Sequence, residues 1–258
     1  MNRIVFFAVC IVFSCIIFSS CVTTPAEKVP QSEINDAKYT LNYNMGLSRL
    51  SSGEPSFSME DFFEAEKYKK TPELYYAMGR ACYNLNRNEL ALSYFDKALM
   101  LDGHFSSAYV GRGIVFMRLD RYQDAIKEFE KSLENILFHE PEMSYYYIGL
   151  CYYSLGDVPT AIKNIKISTQ LRPKFFLAYF QLGKIYFQLN DLETAEGYFQ
   201  DMLNYYPESP EGHLLLGKVY LEEGKKVAAE MEFKEVIRLA PDSDFSKDAE
   251  KYLSGGGN

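Results

Sequence analysis

One internal period constrains this chain more than any other feature. Gly79, Gly113, Gly149, Gly183 and Gly217 lie 34, 36, 34 and 34 residues apart. Ala91, Ala125, Ala161, Ala195 and Ala229 keep the same step, and so do Phe95, Phe129, Ile165, Phe199 and Phe233. Tyr75, Tyr109, Tyr145 and Tyr179 form a fourth column that His213 closes, and Pro173, Pro207 and Pro241 end three of the units. Self-similarity at such a step means stacked supersecondary units, none of which can bury its apolar face alone. Gly and Ala lack bulk where two helices cross closely, the large apolar residues fill the space beside them, and a Pro stops the second helix. Asn84-Leu85-Asn86-Arg87, Leu155-Gly156-Asp157 and Asn190-Asp191 are turn signals that split their units into two helices. The fold class expected is all-α.

The 34-residue step with its Tyr, Gly, Ala, Phe and Pro columns resembles the tetratricopeptide-repeat (TPR) signature over residues 72–243. That resemblance implies a right-handed superhelical solenoid of helix-turn-helix units at 72–105, 106–141, 142–175, 176–209 and 210–243, the unit at 106–141 being two residues longer than its neighbours. A degenerate unit precedes them at 39–71, where Gly46, Phe62 and Ala65 keep the phase and Ser58 stands in the Ala column. Ser51-Ser52-Gly53-Glu54-Pro55 forms its turn, which makes six units in all. Residues 244–258 read as a polar capping helix, DFSKDAEKYL, followed by a Gly-rich tail.

The N-terminus reads as an address. Met1-Asn2-Arg3 is a short positive head, and Ile4 to Phe18 is almost wholly apolar. The apolar run is shorter than the roughly 20 residues of a membrane span, so residues 1–20 are expected to be a signal peptide. Phe18-Ser19-Ser20-Cys21 resembles a bacterial lipobox, which implies lipid attachment at the Cys21 thiol; Cys15, after Val12-Phe13-Ser14, is a second candidate, and a plain uncleaved anchor or an ordinary signal peptide is the alternative. Acyl chains at about 0.8 kcal/mol per buried CH₂ would hold the protein on a membrane. In the lipoproteins it resembles, Asp after the Cys favours inner-membrane retention, so Val22 implies an outer membrane lipoprotein facing the periplasm. Residues 21–38, rich in Thr, Pro, Glu, Lys and Ser, are expected to form a flexible tether.

In a TPR superhelix the first helix of each unit faces the concave side. The fifth and twelfth positions of a unit are seven apart and share one helix face. They read Tyr76 and Tyr83, Val110 and Met117, Tyr146 and Tyr153, Phe180 and Phe187, Leu214 and Leu221. All ten are apolar or aromatic. They are read as a groove for an apolar segment of a protein partner, part of the stripe being accounted for by packing between neighbouring helices. TPR domains that clamp a chaperone's carboxylate use Lys and Asn on this face, so no such clamp is expected.

The chain carries a formal charge of −8, and loss of residues 1–20, whose only charged side chain is Arg3, makes it −9. An acidic chain with interspersed Lys and Arg does not suit a phosphate backbone, so no nucleic acid is expected. Cys82 and Cys151 fall two units apart at inward positions and read as small buried hydrophobes. His104, His139 and His213 have no second ligand at helical spacing, and no HExxH, phosphate loop or GxSxG occurs. No catalytic residue, metal, cofactor or small-molecule substrate is expected, and the chain is not read as an enzyme.

A lipobox, a short tether and about six TPRs together resemble the type IV pilus pilotin lipoproteins, which help the secretin ring reach or assemble in the outer membrane. Phe138-His139-Glu140-Pro141-Glu142, at the lengthened joint, is similar to a joint in that family. The resemblance implies a secretin segment as partner. The alternative is a general envelope adaptor that recruits peptidoglycan enzymes or proteases.

Overall fold

The computed structural model describes residues 30–255. Thirteen helices and no strands occur among them, in the order α1 (Gln31–Ser51), α2 (Pro55–Glu66), α3 (Pro72–Asn84), α4 (Asn88–Leu101), α5 (Ser106–Arg118), α6 (Tyr122–Leu133), α7 (Pro141–Ser154), α8 (Val158–Leu171), α9 (Phe176–Gln188), α10 (Leu192–Tyr205), α11 (Pro210–Glu222), α12 (Lys226–Leu239) and α13 (Asp244–Leu253). The signal peptide, Cys21, Val22 and the first part of the tether lie outside the described residues. From Gln31 the expected tether is already helix, because α1 runs eight residues ahead of the first repeat unit. The all-α solenoid itself is as expected.

Helix boundaries follow local chemistry. Thr71, Asp157, Asp191, Ser209 and Ser243 each accept a backbone N–H three residues ahead, closing the open start of a helix. Pro55, Pro72, Pro141, Pro159 and Pro210 sit in a first turn, where a missing N–H costs nothing. Between the two helices of every unit, one residue takes the left-handed conformation: Gly53, Asn86, Asp120, Gly156, Asn190 and Gly224, with φ from 56° to 85°. All six fall at the fifteenth position of their unit. Gly, Asn and Asp are the residues that tolerate this conformation, and it ends the first helix so that the second can fold back.

Inside each unit the two helices cross at the glycine column. A Cβ built on Gly79, Gly113, Gly183 or Gly217 would lie 2.5, 2.6, 2.7 or 2.6 Å from the ring of Phe95, Phe129, Phe199 or Phe233. Gly46 faces Phe62 in the same way, and Gly149 faces Ile165 Cγ1. The rings of this column are almost wholly buried, as is the Ala column beside them, with Ser58 buried in the Ala place of the first unit.

Units stack in register. The first helices α1 and α3, α3 and α5, α5 and α7, α9 and α11, and α11 and α13 touch directly, whereas successive second helices do not pack on one another. The first helices therefore form the tighter, inner layer. At the far end α13 closes the stack, with Tyr252 stacked on Phe233 at 5.0 Å and Ala249 buried. The long joint before α7 is ordered by Asn135. Its side-chain amide donates to the His104 carbonyl and its Oδ1 accepts the Leu137 N–H, which leaves Ile136 95% and Leu137 75% exposed.

His213 stands where other units have Tyr. Its Nδ1 lies 2.6 Å from Glu232 Oε2 and its Nε2 lies 2.8 Å from the Pro207 carbonyl oxygen. Both partners can accept, so the setting favours the protonated ring, in which both nitrogens donate. Burial opposes that charge, but the Glu232 carboxylate and the Pro207 carbonyl, helped by Glu235, outweigh it and hold the pKa above its ordinary value.

Two outcomes are expected. Gly183→Ala forces the Phe199 ring from its place and destabilises the fourth full unit by about 1–3 kcal/mol in urea unfolding. The raised folded pKa of His213 means that its stabilisation is complete below the unfolded value of about 6.5 and is lost as pH rises through the folded value. The unfolding midpoint of the last unit should fall over that range, and His213→Gln should flatten the profile.

Candidate functional site

The inner layer carries the ten stripe residues. None is fully exposed. Tyr76, Tyr83, Met117, Tyr146, Tyr153, Phe180, Phe187 and Leu221 are half-buried, while Val110 and Leu214 are buried at 9% and 4% exposure. The last two are a correction to the continuous stripe, because they belong to the core. Val110 is buried in a cluster with Phe116, Phe129, Ile148 and Cys151, which joins its own unit to the next. Leu214 shares a cluster with Phe233, Val236 and Ala249, under the cap formed by α13.

The half-buried side chains both pack and face outward. Tyr76 meets Phe105 edge-on at 5.7 Å and tilts against Phe95 at 5.8 Å. Tyr146 meets Phe175 edge-on at 5.2 Å, and burial pushes its phenol up to about 12. Phe180 meets Phe199 edge-on at 6.2 Å. Such edge-to-face pairs hold each ring by its rim and fix its orientation. A cavity of about 230 Å³ opens beside Tyr76, Arg80, Tyr83, Asn84 and Ile114, across the inner helices of two units.

Cross-unit links recur at one place in the register. Arg118 donates to the Tyr83 carbonyl at 2.5 Å and to Asn86 Oδ1 at 3.1 Å, and its guanidinium lies 3.2 Å from the Tyr83 ring centroid. Two units on, the Tyr153 hydroxyl donates to Gln188 Oε1. Each link joins position twelve of one unit to position thirteen of the next, so both pin the inner surface across a unit boundary.

The stripe also extends further toward the N-terminus than the five full units alone would place it. Tyr43 and Leu47, at positions five and nine of the degenerate unit, are half-buried and pack on the same core as Tyr76 and Tyr83. Tyr43 stacks on Tyr39 at 5.6 Å, and burial, followed by the neighbouring Tyr39 and Glu73, pushes its phenol up to about 12. The signal that could have found it is Gly46, whose phase places Tyr43 at position five.

The cysteines and the remaining histidines are not among the stripe residues, and His104 and His139 line one surface cavity at the long joint. Cys82 and Cys151 are free and buried, and burial pushes their thiols up to about 11 and about 12. His104 and His139 lie in joints between units. Among the described residues no group of His, Cys, Asp and Glu could hold a metal ion, and no helix is long and apolar enough to cross a membrane.

Comparison with known proteins agrees with this architecture. Two family patterns, both described as tetratricopeptide repeat, match residues 72–105, and 112–174 with 180–244. Superkiller protein 3 of Schizosaccharomyces pombe is 28% identical over 155 residues, covering 56% of this chain and 11% of that protein. A UDP-N-acetylglucosamine–peptide N-acetylglucosaminyltransferase of Giardia intestinalis is 25% identical over 101 residues, covering 39% of this chain and 7% of that protein. The chain thus spans a small part of the length of these curated relatives.

Among solved structures, Pseudomonas aeruginosa PilF superposes with a TM-score of 0.72 at 15% identity, covering 86% of this chain and 99% of that one. PilW, described as a widely conserved type IV pilus biogenesis factor, gives 0.72 at 18% identity, with 83% and 98% covered. YrrB, a TPR protein with an unusual peptide-binding site, gives 0.54 at 25% identity, with 74% and 97% covered.

The split between core and face has a measurable consequence. Leu214→Ala should cost about 2–5 kcal/mol of stability in the last unit, as buried Leu truncations do. Half-buried Leu221→Ala should cost clearly less in the same urea titration. With repeat columns, inner-layer geometry and matched family patterns together, the chain belongs to the tetratricopeptide-repeat family.

Proposed function

We propose that this protein is a membrane-anchored periplasmic scaffold whose inner face holds an apolar segment of a protein partner, and that it assists secretin and type IV pilus assembly in the outer membrane. The observation that carries the reading is the inner-layer stripe of half-buried aromatic and aliphatic side chains, from Tyr43 through Leu221, in a fold built to display it. Tyr and Phe offer large contact area at low entropic cost. The pilus reading draws support from the match to PilF and PilW, in which nearly the whole of each chain is covered by this one. The anchor rests on the sequence of residues 1–21, with Cys21 as the lipid-bearing thiol.

The test has two arms. Deleting the gene should leave secretin as monomers and abolish pili, whereas normal SDS-resistant multimers in the deletion strain would sink the pilus role. A pulldown dominated by cell-wall hydrolases, with secretin absent, would favour the general envelope adaptor. In the second arm, Tyr146→Ala combined with Phe180→Ala should abolish partner capture while far-UV circular dichroism stays helical. Unchanged capture would mean that the stripe serves packing alone.

A further inference from the structure

The inner face has a charge pattern that the apolar stripe hides. Arg80, Lys184 and Lys218 all stand at position nine of their units, one turn after position five, and Arg118 stands at position thirteen. Each lies over an aromatic ring. Arg80 is 5.8 Å from the Tyr76 centroid, Lys184 is 5.3 Å from Phe180, Lys218 is 5.3 Å from Tyr252, and Arg118 is 3.2 Å from Tyr83. Among the described residues none of the four has a carboxylate within salt-bridge reach.

On or next to the second helices, Arg121, Lys127, Lys131, Lys234 and Arg238 each sit beside an Asp or Glu three or four residues away, while Lys97 and Lys166 lie over rings as the inner-face cations do. The middle of the inner face, positions five, nine and twelve, holds cations and no carboxylate in the five full units. Glu73, Glu211 and Glu222 flank it near the ends of their helices, Glu140 lies close enough to add to the burial that raises the pKa of the Tyr76 phenol, and Asp248 of α13 feels Lys218 without forming a salt bridge to it. In a chain of net charge −8, carboxylates are not scarce, so their absence from this strip is a feature of the face.

A cation over an aromatic ring gains about 0.5–1 kcal/mol at an exposed site. When an apolar segment settles into the face and displaces water, the ring alone does not replace the lost hydration of the charge. A carboxylate carried by the incoming segment does. A basic segment would bring like charges together and be rejected.

We propose that the segment held on the inner face is acidic as well as apolar: a protein segment in which Asp or Glu alternates with aromatic or aliphatic anchors. The anchors meet Tyr76, Tyr146 and Phe180, and the carboxylates meet Arg80, Lys184 and Lys218. This deepens the groove reading above and rests on it.

Random 12-residue peptides displayed on phage, selected on the full chain, provide the probe. The selected pool should be enriched in Asp and Glu beside Phe, Tyr and Leu. A synthetic peptide from that pool should bind the Arg80→Gln/Lys184→Gln/Lys218→Gln variant about tenfold more weakly, by fluorescence anisotropy. Its binding to the native chain should weaken as salt rises. Arg118 is left in place because it also ties two units together through the Tyr83 carbonyl.

Selected peptides no more acidic than the input library, or equal affinity for the triple variant, would overturn the proposal. If such non-acidic peptides lose binding to Tyr146→Ala/Phe180→Ala, the groove stands and only the acidic partner falls. If acidic peptides are selected but bind that double variant unchanged, the groove reading fails and this one with it.

Discussion

Everything in this solenoid depends on one short-range contact, the approach of a side chain at position twenty-four to the bare backbone of a glycine at position eight. At the four glycines that face Phe95, Phe129, Phe199 and Phe233, a Cβ would come within 2.7 Å of the ring. The contact sets how closely the two helices of a unit cross, and close-packed interiors leave no slack to absorb an extra carbon. Because the same contact recurs six times, six units have the same shape, and equal shapes stack. Ile165 shows how far the rule bends. A branched aliphatic fills the ring's place against Gly149, and the glycine is still required.

Stacking then makes two layers unlike each other. The first helices touch their successors and the second helices do not. Side chains on the inner layer are therefore shared between neighbouring units, which is why the stripe is half-buried and not exposed. Tyr76 wedged against Phe105, and Tyr146 against Phe175, stabilise the unit boundary and still turn one side outward. A preformed surface of this kind costs little further ordering when a ligand arrives. Arg118 over Tyr83 and Tyr153 against Gln188 hold the boundary from the same register position, so the face is rigid where it crosses from unit to unit.

The repeat is legible in the chain because its columns are single residue types at one step. Other features are harder to see. The left-handed residue at position fifteen is Gly, Asn or Asp in different units, so a search for one residue type passes over the column, although one backbone conformation explains all six. The N-terminal helix starts at Gln31, inside a stretch whose composition reads as tether, because the polar residues that make a tether also suit the exposed turns of a helix end. His213 has the look of a lapse in a Tyr column. Only the positions of Glu232 and Pro207 reveal why an imidazole fits there, with a partner for each ring nitrogen.

By itself the sequence determined the all-helical repeat, its phase, the close crossings and the capping helix, since each is set by residues near one another in the chain or by a column repeated at a fixed step. Tertiary structure decided which of the ten stripe residues face outward. Val110 and Leu214 share the chemistry and register of the other eight, but Phe129 and Ile148 around the first and the cap of α13 over the second bury them. It also decided that Arg80, Arg118, Lys184 and Lys218 lie on aromatic rings and form no salt bridge among the described residues. Burial and charge pairing depend on what a neighbouring unit brings into reach, and no spacing along the chain records that.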